Sequence, residues 1–194
     1  MSITGLILAG GRGTRMGSVD KGLQVFRGEP MVAHVMRRFA PQVGILAINA
    51  NQNLDVYQGF GLPVWPDRMD EFPGPLAGLQ TGLMHCDTEY LVTAPCDSPF
   101  LPMDLVARLR DALQAESADL SFAETGEGES RQSHPVFCLL KTSVLPSLSA
   151  YLQTGGRKMG TWFGSLRAVK VHFDDEEAFQ NINTLEELHK LEAP

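Results

Sequence analysis

Leu8-Ala9-Gly10-Gly11-Arg12-Gly13-Thr14-Arg15-Met16-Gly17, with Asp20-Lys21-Gly22 shortly after it, is the stretch on which the reading of this chain turns. It follows a short, partly β-branched apolar run, Ile3 to Leu8. Such a run ending in glycines reads as a buried strand feeding a loop. Consecutive glycines let the backbone pass close to a ligand and turn several N–H groups toward an anion. Two common phosphate patterns fail here. The Walker pattern needs Lys directly after its last glycine, where Ser18 stands, and the dinucleotide pattern needs a third glycine where Met16 stands. An ordinary P-loop ATPase and a Rossmann dehydrogenase are therefore excluded. Arg12, Arg15, Asp20 and Lys21 sum to +2 inside a chain of net charge -7. A plain turn with basic neighbours fits the same residues. The functional reading places those cations at the carboxyl end of a parallel strand, where α/β sheets bind ligands.

Working outward, apolar runs at Val43 to Ala50, Pro63 to Trp65 and Tyr90 to Ala94 predict three further strands separated by helical or turn-rich segments. From Pro30, the residues Met31, Val32, Val35, Met36 and Phe39 fall at helical spacing, with Pro30 suited to the first turn and an end near Pro41. Leu76, Leu79 and Leu83 predict a helix entered through Gly74-Pro75, and Leu105, Val106, Leu109 and Leu113 another before a strand at Leu120 to Ala123. Glu124 to Ser133 has no apolar residue and reads as a mobile loop. Val136 to Leu140 reads as a strand with antiparallel character, and Val169, Val171 and Phe173 alternate along the last one. Thr184 and Glu187 have capping-box spacing at the start of a final helix docked by Leu185, Leu188 and Leu191. Strands alternating with helices imply an α/β, three-layer, Rossmann-like architecture with a mostly parallel central sheet. No repeat, composition shift or low-complexity stretch divides the chain, so residues 1–194 read as one domain.

A chain of 194 residues, 43% of them hydrophobic, is long enough to bury a core without a staple. The acidic balance disfavours polyanion and anionic-lipid partners, so neither nucleic acid nor a membrane surface is expected. Cys86, Cys96 and Cys138 are odd in number and lack CxxC spacing, which argues against disulfides and thiolate zinc. The apolar run Leu6 to Ala9 is too short for a signal peptide or a span. A cytoplasmic location is the expectation.

Asp97, in Ala94-Pro95-Cys96-Asp97-Ser98-Pro99, stands just past the strand Tyr90 to Ala94. A carboxylate there, braced by prolines, faces the ligand edge of the sheet. A helix-initiating aspartate is the plain alternative, although Pro102 and Asp104 lie nearer the next helix. Magnesium takes one or two carboxylates plus substrate phosphates, so Asp97 with a triphosphate suffices for Mg²⁺. Asp67 follows the third strand and reads equally as a turn residue after Pro66. Asn49 ends the second strand, where an amide can read a base edge or ribose; Asn51 has the same capacity. Backbone N–H groups at Gly74-Pro75-Leu76-Ala77-Gly78, and the side chain Gly78 lacks, leave space for a purine, while a turn packing a helix is the plain reading.

Leu-Ala-Gly-Gly-Arg-Gly-Thr-Arg-Met-Gly with Lys21 resembles the signature of nucleotidyltransferases of the glycosyltransferase-A-like, nucleotide-diphospho-sugar transferase-like fold. Within them the chain is similar to the molybdenum cofactor guanylyltransferase (MobA) family, from Gly5 to Asn181-Ile182-Asn183-Thr184. The resemblance implies GMP transfer from GTP to the phosphate of molybdenum-molybdopterin, with pyrophosphate leaving. It implies a nucleotide half over about 1–100 and a second-substrate half over about 101–194. It places GTP on Leu8, Ala9, Gly10, Gly11, Lys21, Asn49, Asp67, Gly78 and Asp97, catalysis on Arg15, Lys21 and Asp97, and the metal on Asp97. It favours Asn49 over Asn51, and the Gly74–Gly78 and Pro95–Pro99 segments favour guanine over cytosine. Arg157, Lys158, Asn181 and Asn183 fall where the family handles its anionic pterin substrate; a solvated charge pair and helix capping are their plain readings, and capping alone would account for Asn183. A CTP-using or sugar-phosphate-using relative and a non-catalytic nucleotide-binding carrier are the alternatives. Transient contacts with cofactor-biosynthesis proteins and apo-molybdoenzymes are also implied.

His134 has no Ser, Cys or acid partner in a recognisable motif, so it reads as a pocket or structural residue. Cys96 reads as a buried small side chain. An attacking phosphate is already anionic and needs no general base, which fits the lack of a visible His–acid or Ser–His pair.

Overall fold

The computed structural model describes residues 2–10, 20–67 and 74–192. The chain runs through β1 (Ile3–Leu8), β2 (Val25–Phe26), β3 (Glu29–Pro30), α1 (Met31–Phe39), β4 (Ile45–Asn49), α2 (Leu54–Gln58), β5 (Val64–Trp65) and α3 (Pro75–His85). It continues with β6 (Tyr90–Pro95), α4 (Leu105–Ala115), β7 (Leu120–Thr125), β8 (Gln132–Lys141), α5 (Leu145–Gln153), α6 (Met159–Phe163), β9 (Ala168–Phe173) and α7 (Leu185–Glu192).

Seven strands form one sheet in the order β5-β4-β1-β6-β8-β7-β9. β8 runs antiparallel to both of its neighbours, and every other pairing in that sheet is parallel. All six residues of β1 are buried because both its faces are covered. Ile3 and Ile7 join Val32, Val35 and Phe39 of α1, Tyr57 of α2 and the apolar stripe of α4. Leu6 and Leu8 join Leu76, Leu79 and Leu83 of α3, Leu148 and Leu152 of α5, and Trp162 of α6. The result is the expected three-layer α/β arrangement. α7 packs elsewhere: Leu188 and Ile182 meet Phe26 and Met31 at the β2–β3 hairpin. That hairpin turns through Arg27 and Gly28, both at positive φ (49° and 83°), the geometry of a two-residue primed turn. No helix among the described residues is long and apolar enough to cross a membrane.

Three expectations change. Pro30 lies in β3 and stands at the cap of α1 instead of inside its first turn. Glu124 to Ser133 is not one loop: Glu124 and Thr125 finish β7, Gln132 and Ser133 begin β8, and a 3-10 turn at Gly128–Ser130 joins them. The polar residues there make cross-strand contacts, with Lys170 Nζ donating to Glu124 Oε2 at 2.6 Å, so a lack of apolar side chains did not mean a lack of pairing. Helices α5 and α6 were not anticipated; their buried faces are split between short segments around Gly155 and Gly156.

Gly82 shows how closely α3 approaches the sheet. A Cβ on it would stand 2.5 Å from Leu6 Cδ2 and 3.0 Å from Leu91 Cδ2. Gly82→Ala is expected to cost about 1–3 kcal/mol of stability by overpacking, despite alanine's better helix propensity; a urea unfolding midpoint equal to that of the parent would contradict this packing.

Candidate functional site

Parallel pairing brings the carboxyl ends of β4, β1 and β6 side by side, since Leu8 lies opposite both Asn49 and Pro95. The chain leaves this edge under backbone control: Ala9 N donates to Asn49 O (2.8 Å) and Cys96 N to Leu8 O (3.1 Å). Leu8, Ala9 and Gly10 thus sit between the residues that follow β4 and those that follow β6. Gly11, Arg12 and Arg15 lie outside the described residues.

On the β4 side, Asp67 is a clamp. Its Oδ1 accepts from Asn49 Nδ2 (2.8 Å), its Oδ2 from Asn51 Nδ2 (2.8 Å), and its backbone N–H donates to Asn51 Oδ1 (2.8 Å). Asn49 Nδ2 also donates to Trp65 O (2.9 Å), so both of its amide hydrogens are engaged within the protein. The amide oxygen of Asn49 fills the place of the side chain that Gly78 lacks: a Cβ there would lie 2.3 Å from Asn49 Oδ1 and 2.8 Å from Leu8 Cδ2. Gly78 therefore makes room for Asn49, and through it for the Asp67 clamp, whereas the expectation gave that space to a purine. Gly10 is held by the same group, with Asn51 Nδ2 2.8 Å from where its Cβ would be.

On the β6 side, Lys21 Nζ donates to Asp97 Oδ2 (3.2 Å) and to Asn183 Oδ1 (2.6 Å). Three segments distant in sequence meet at one ammonium group. Asp97 is not a helix initiator, because α4 begins at Leu105 behind Asp104. Nor does Asn183 cap α7: Thr184 and Glu187 do so reciprocally, through Glu187 N to Thr184 Oγ1 (3.1 Å) and Thr184 N to Glu187 Oε2 (3.2 Å). That frees the Asn183 side chain for Lys21 and overturns capping as a sufficient account of it. Asp97 is tied to the same segment by its backbone, with Ile182 N donating to Asp97 O at 2.9 Å.

Sequence reasoning missed what holds Lys21 in place. Asp20, one residue earlier, accepts from Tyr57 Oη (2.6 Å) and Gly22 N (3.2 Å) through Oδ1, and from Asn53 Nδ2 (3.0 Å) through Oδ2. Tyr57 is completely buried, and a Cβ on Gly22 would stand 2.5 Å from its hydroxyl. Asn53 carries a left-handed backbone (φ 50°) to start α2 beneath it. The signal available in the sequence was the acidic residue inside an otherwise cationic loop.

Burial pushes the Asp97 carboxyl above the usual carboxylate range, and the Lys21 ammonium with its hydrogen bond offsets this only in part. Burial and the neighbouring Asp97 carboxylate likewise push the Cys96 thiol well up, so it stays protonated and is no nucleophile. Among the described residues no cluster of three or more His, Cys, Asp or Glu side chains forms a protein-only metal cage. A single buried carboxylate at a strand end does fit Mg²⁺, whose remaining positions are filled by phosphate oxygens and water.

The second-substrate candidates separate. Asn181 accepts from Ser98 Oγ (2.5 Å) and, with Asn183 and Pro95, lines a cleft of about 540 Å³ that opens beside Lys21. Arg157 and Lys158 sit between α5 and α6, where Arg157 Nη1 donates to the carbonyls of Leu152 (3.2 Å) and Gly156 (2.8 Å). Among the described residues no contact joins either of them to Asn181, Asn183 or Asp97. His134 lines the same cleft as Asn181.

The fold has counterparts among solved structures. The chain superposes over 97% of its length on molybdopterin-guanine dinucleotide biosynthesis protein A from Archaeoglobus fulgidus (96% of that chain, TM-score 0.81, 21% identity). It also superposes over 98% of its length on a nucleotidyl transferase from Methanothermobacter (96% of that chain, TM-score 0.74, 16% identity). The chain shares its architecture with both. More narrowly, residues 5–169 match the MobA-like NTP transferase domain, and the chain belongs to that family. It is 59% identical over 192 residues to a molybdenum cofactor guanylyltransferase of Cupriavidus necator (98% of this chain, 96% of the relative). It is 54% identical over 189 residues to one of Bordetella petrii (97% and 96%).

Because burial disfavours the Asp97 charge, Asp97→Asn is expected to leave the chain at least as stable as the parent in a urea or thermal denaturation midpoint. Lys21, 22% exposed along its side chain, keeps Asn183 and water as partners. A clearly lower denaturation midpoint for Asp97→Asn would show that Asp97 is present for stability.

Proposed function

We propose that this chain transfers GMP from GTP to the terminal phosphate of molybdenum-molybdopterin, releasing pyrophosphate and forming the guanine dinucleotide cofactor. The observation that carries the reading is the Lys21 contact to Asp97 and Asn183 at the strand ends, in a chain that matches proteins named molybdenum cofactor guanylyltransferase over almost its full length. The whole chain acts as one unit, with GTP on the first half and the acceptor on the second, and the site of action is the cytoplasm. The three cysteines, all free, suit a reducing compartment.

The chemistry asks for little more than placement. An acceptor phosphate oxygen attacks the α-phosphorus of GTP. A new P–O bond forms while the bond from the α-phosphorus to the oxygen bridging to the β-phosphorus breaks, and the electron pair leaves with pyrophosphate. No proton has to be removed from the nucleophile. Catalysis is positioning and charge stabilisation. Lys21, turned by Asp20 and released from Asp97, neutralises triphosphate oxygens, and Asn183 keeps its ammonium at the junction of the two substrates. Gly10, at the carboxyl end of β1, and Arg15 add to the phosphate site. The Asp67 clamp, with Asn49 and Asn51 locked in place, presents a rigid edge to the nucleoside, and Asn49 acts through Asp67 and Gly78. Asp97 would hold Mg²⁺, and the metal would supply charge neutralisation for the leaving pyrophosphate.

Calorimetry with each of the four nucleoside triphosphates and Mg²⁺ is expected to show saturable binding of GTP alone. Equal binding of CTP would move the chain to a broader nucleotidyltransferase reading. Lys21→Ala and Asp97→Ala are each expected to lower turnover about 100- to 1000-fold, the loss seen when one preorganised stabilising group is removed, with circular dichroism unchanged. Near-parental turnover in either variant would exclude these roles.

A further inference from the structure

Arg27 stands at a position of the β2–β3 hairpin that disfavours it. A two-residue primed turn needs positive φ at both central positions, which glycine and asparagine adopt at least cost. Gly28 supplies one of them, but the other is an arginine held at φ 49°. The side chain is exposed, so burial does not account for its presence. Residues other than glycine persist in this conformation where the surrounding structure fixes them, and they cluster at functional positions.

Arg27 Nη2 donates to the carbonyl oxygen of Leu191 at 3.1 Å. That carbonyl belongs to the last turn of α7, where the C=O groups lack partners within the helix and a cation is favoured. The same guanidinium lies over two rings that meet edge to face, 5.0 Å from the centroid of Phe26 and 5.7 Å from that of Phe100. Phe26 is buried with Met31, Ile182 and Leu188 in a small apolar cluster, separate from the two cores that cover the sheet, and Phe100 and Leu191 pack against it.

Each segment gathered there carries a residue of the candidate site a short way upstream: Lys21 before Phe26, Asp97 before Phe100, and Asn183 before Leu191. The same segments meet again at the site, where Lys21 Nζ donates to Asp97 Oδ2 and Asn183 Oδ1, and Ile182 N to Asp97 O. They are therefore joined twice, by Lys21 at the strand ends and by Arg27 at the apolar cluster.

We propose that Arg27 is a positioning residue for the transfer reaction: it ties the end of α7 to the hairpin and to Phe100, and so holds Asn183 where it orients the Lys21 ammonium. Arg27 acts through Asn183 and touches no substrate. With the tie removed, α7 loosens from the hairpin and Asn183 withdraws. The ammonium then keeps Asp97 and loses the neutral partner that sets its direction. The consequence for turnover rests on the guanylyltransferase reading, whereas the tie itself is measurable without any substrate.

The test is Arg27→Asn in the full chain, which removes the guanidinium and gives the turn its preferred Asn-Gly pair, so the hairpin itself is not weakened. Without nucleotide, amide hydrogen exchange is expected to quicken about tenfold at Ile182 and along α7 and to keep the parental rate in β1 and β6, with an unchanged urea midpoint. With GTP, Mg²⁺ and molybdenum-molybdopterin, turnover is expected to fall about tenfold, as remote misplacement of a site residue does. Added to Asn183→Ala, the same substitution is expected to change turnover by less than about twofold, because both act on one contact. A residue serving only the turn or general packing would not show that dependence on Asn183. Parental exchange at Ile182 and α7, exchange that quickens equally in β1 and β6, or the same loss of turnover with and without the Asn183 side chain overturns the proposal. A parent that transfers no guanylyl group overturns the guanylyltransferase reading alone, and the exchange rates still decide whether Arg27 ties α7 to the site.

Discussion

One ammonium group ties the site together. Lys21 follows the glycine-rich segment, Asp97 follows the central strand β6, and Asn183 precedes the last helix, and the three side chains meet at Lys21 Nζ. The pair is costly to place, since Asp97 is buried enough for desolvation to outweigh what Lys21 returns. Proteins retain such pairs where function requires a charge held ready, because a hydrophobic replacement of similar size is often equally stable. Lys21 is in turn set by Asp20, itself gripped by a fully buried tyrosine hydroxyl, an asparagine amide and a backbone N–H. A long flexible cation is thereby given one direction to point.

The other side of the edge is built from neutral amides around a carboxylate. Asn49, Asn51 and Asp67 satisfy one another so fully that the group acts as a brace, and Gly78 and Gly10 lack side chains so that it can sit where it does. The contrast between the two sides divides the labour. The amide cluster is neutral apart from Asp67 and fully satisfied within the protein, whereas the Lys21 side carries an ammonium held by one carboxylate and one amide. The chain's overall acidity is compatible with small polyanionic substrates because the sequence from Arg12 to Lys21 carries a local charge of +2.

The reversed strand β8 gives the second half its own character. By running antiparallel between β6 and β7, it brings its bulged segment to the same end of the sheet as Asp97. The Asp97 edge and the cleft lined by Asn181 and Asn183 are then neighbours, joined where Asn183 meets Lys21. Arg157 and Lys158, which look equally suited to an anion in the sequence, lie between α5 and α6, where Arg157 donates to the carbonyls of Leu152 and Gly156.

Local chemistry was readable from the residues alone: a buried strand ending in glycines, the amphipathic stripes of α1 and α4, the Thr184–Glu187 capping box and a carboxylate at a strand end. Each is encoded within a few neighbouring positions, where periodicity and backbone preference act directly. The sequence also carried enough of a family pattern to suggest the reaction. What the tertiary structure alone decided were the pairings between distant segments: Asn183 turning to Lys21 instead of capping its helix, Tyr57 and Asn53 gripping Asp20, Asn49 occupying the space at Gly78, and Glu124 to Ser133 forming strand ends through Lys170. A side chain's partner depends on which surfaces the sheet order brings together. No local pattern in the chain specifies that order.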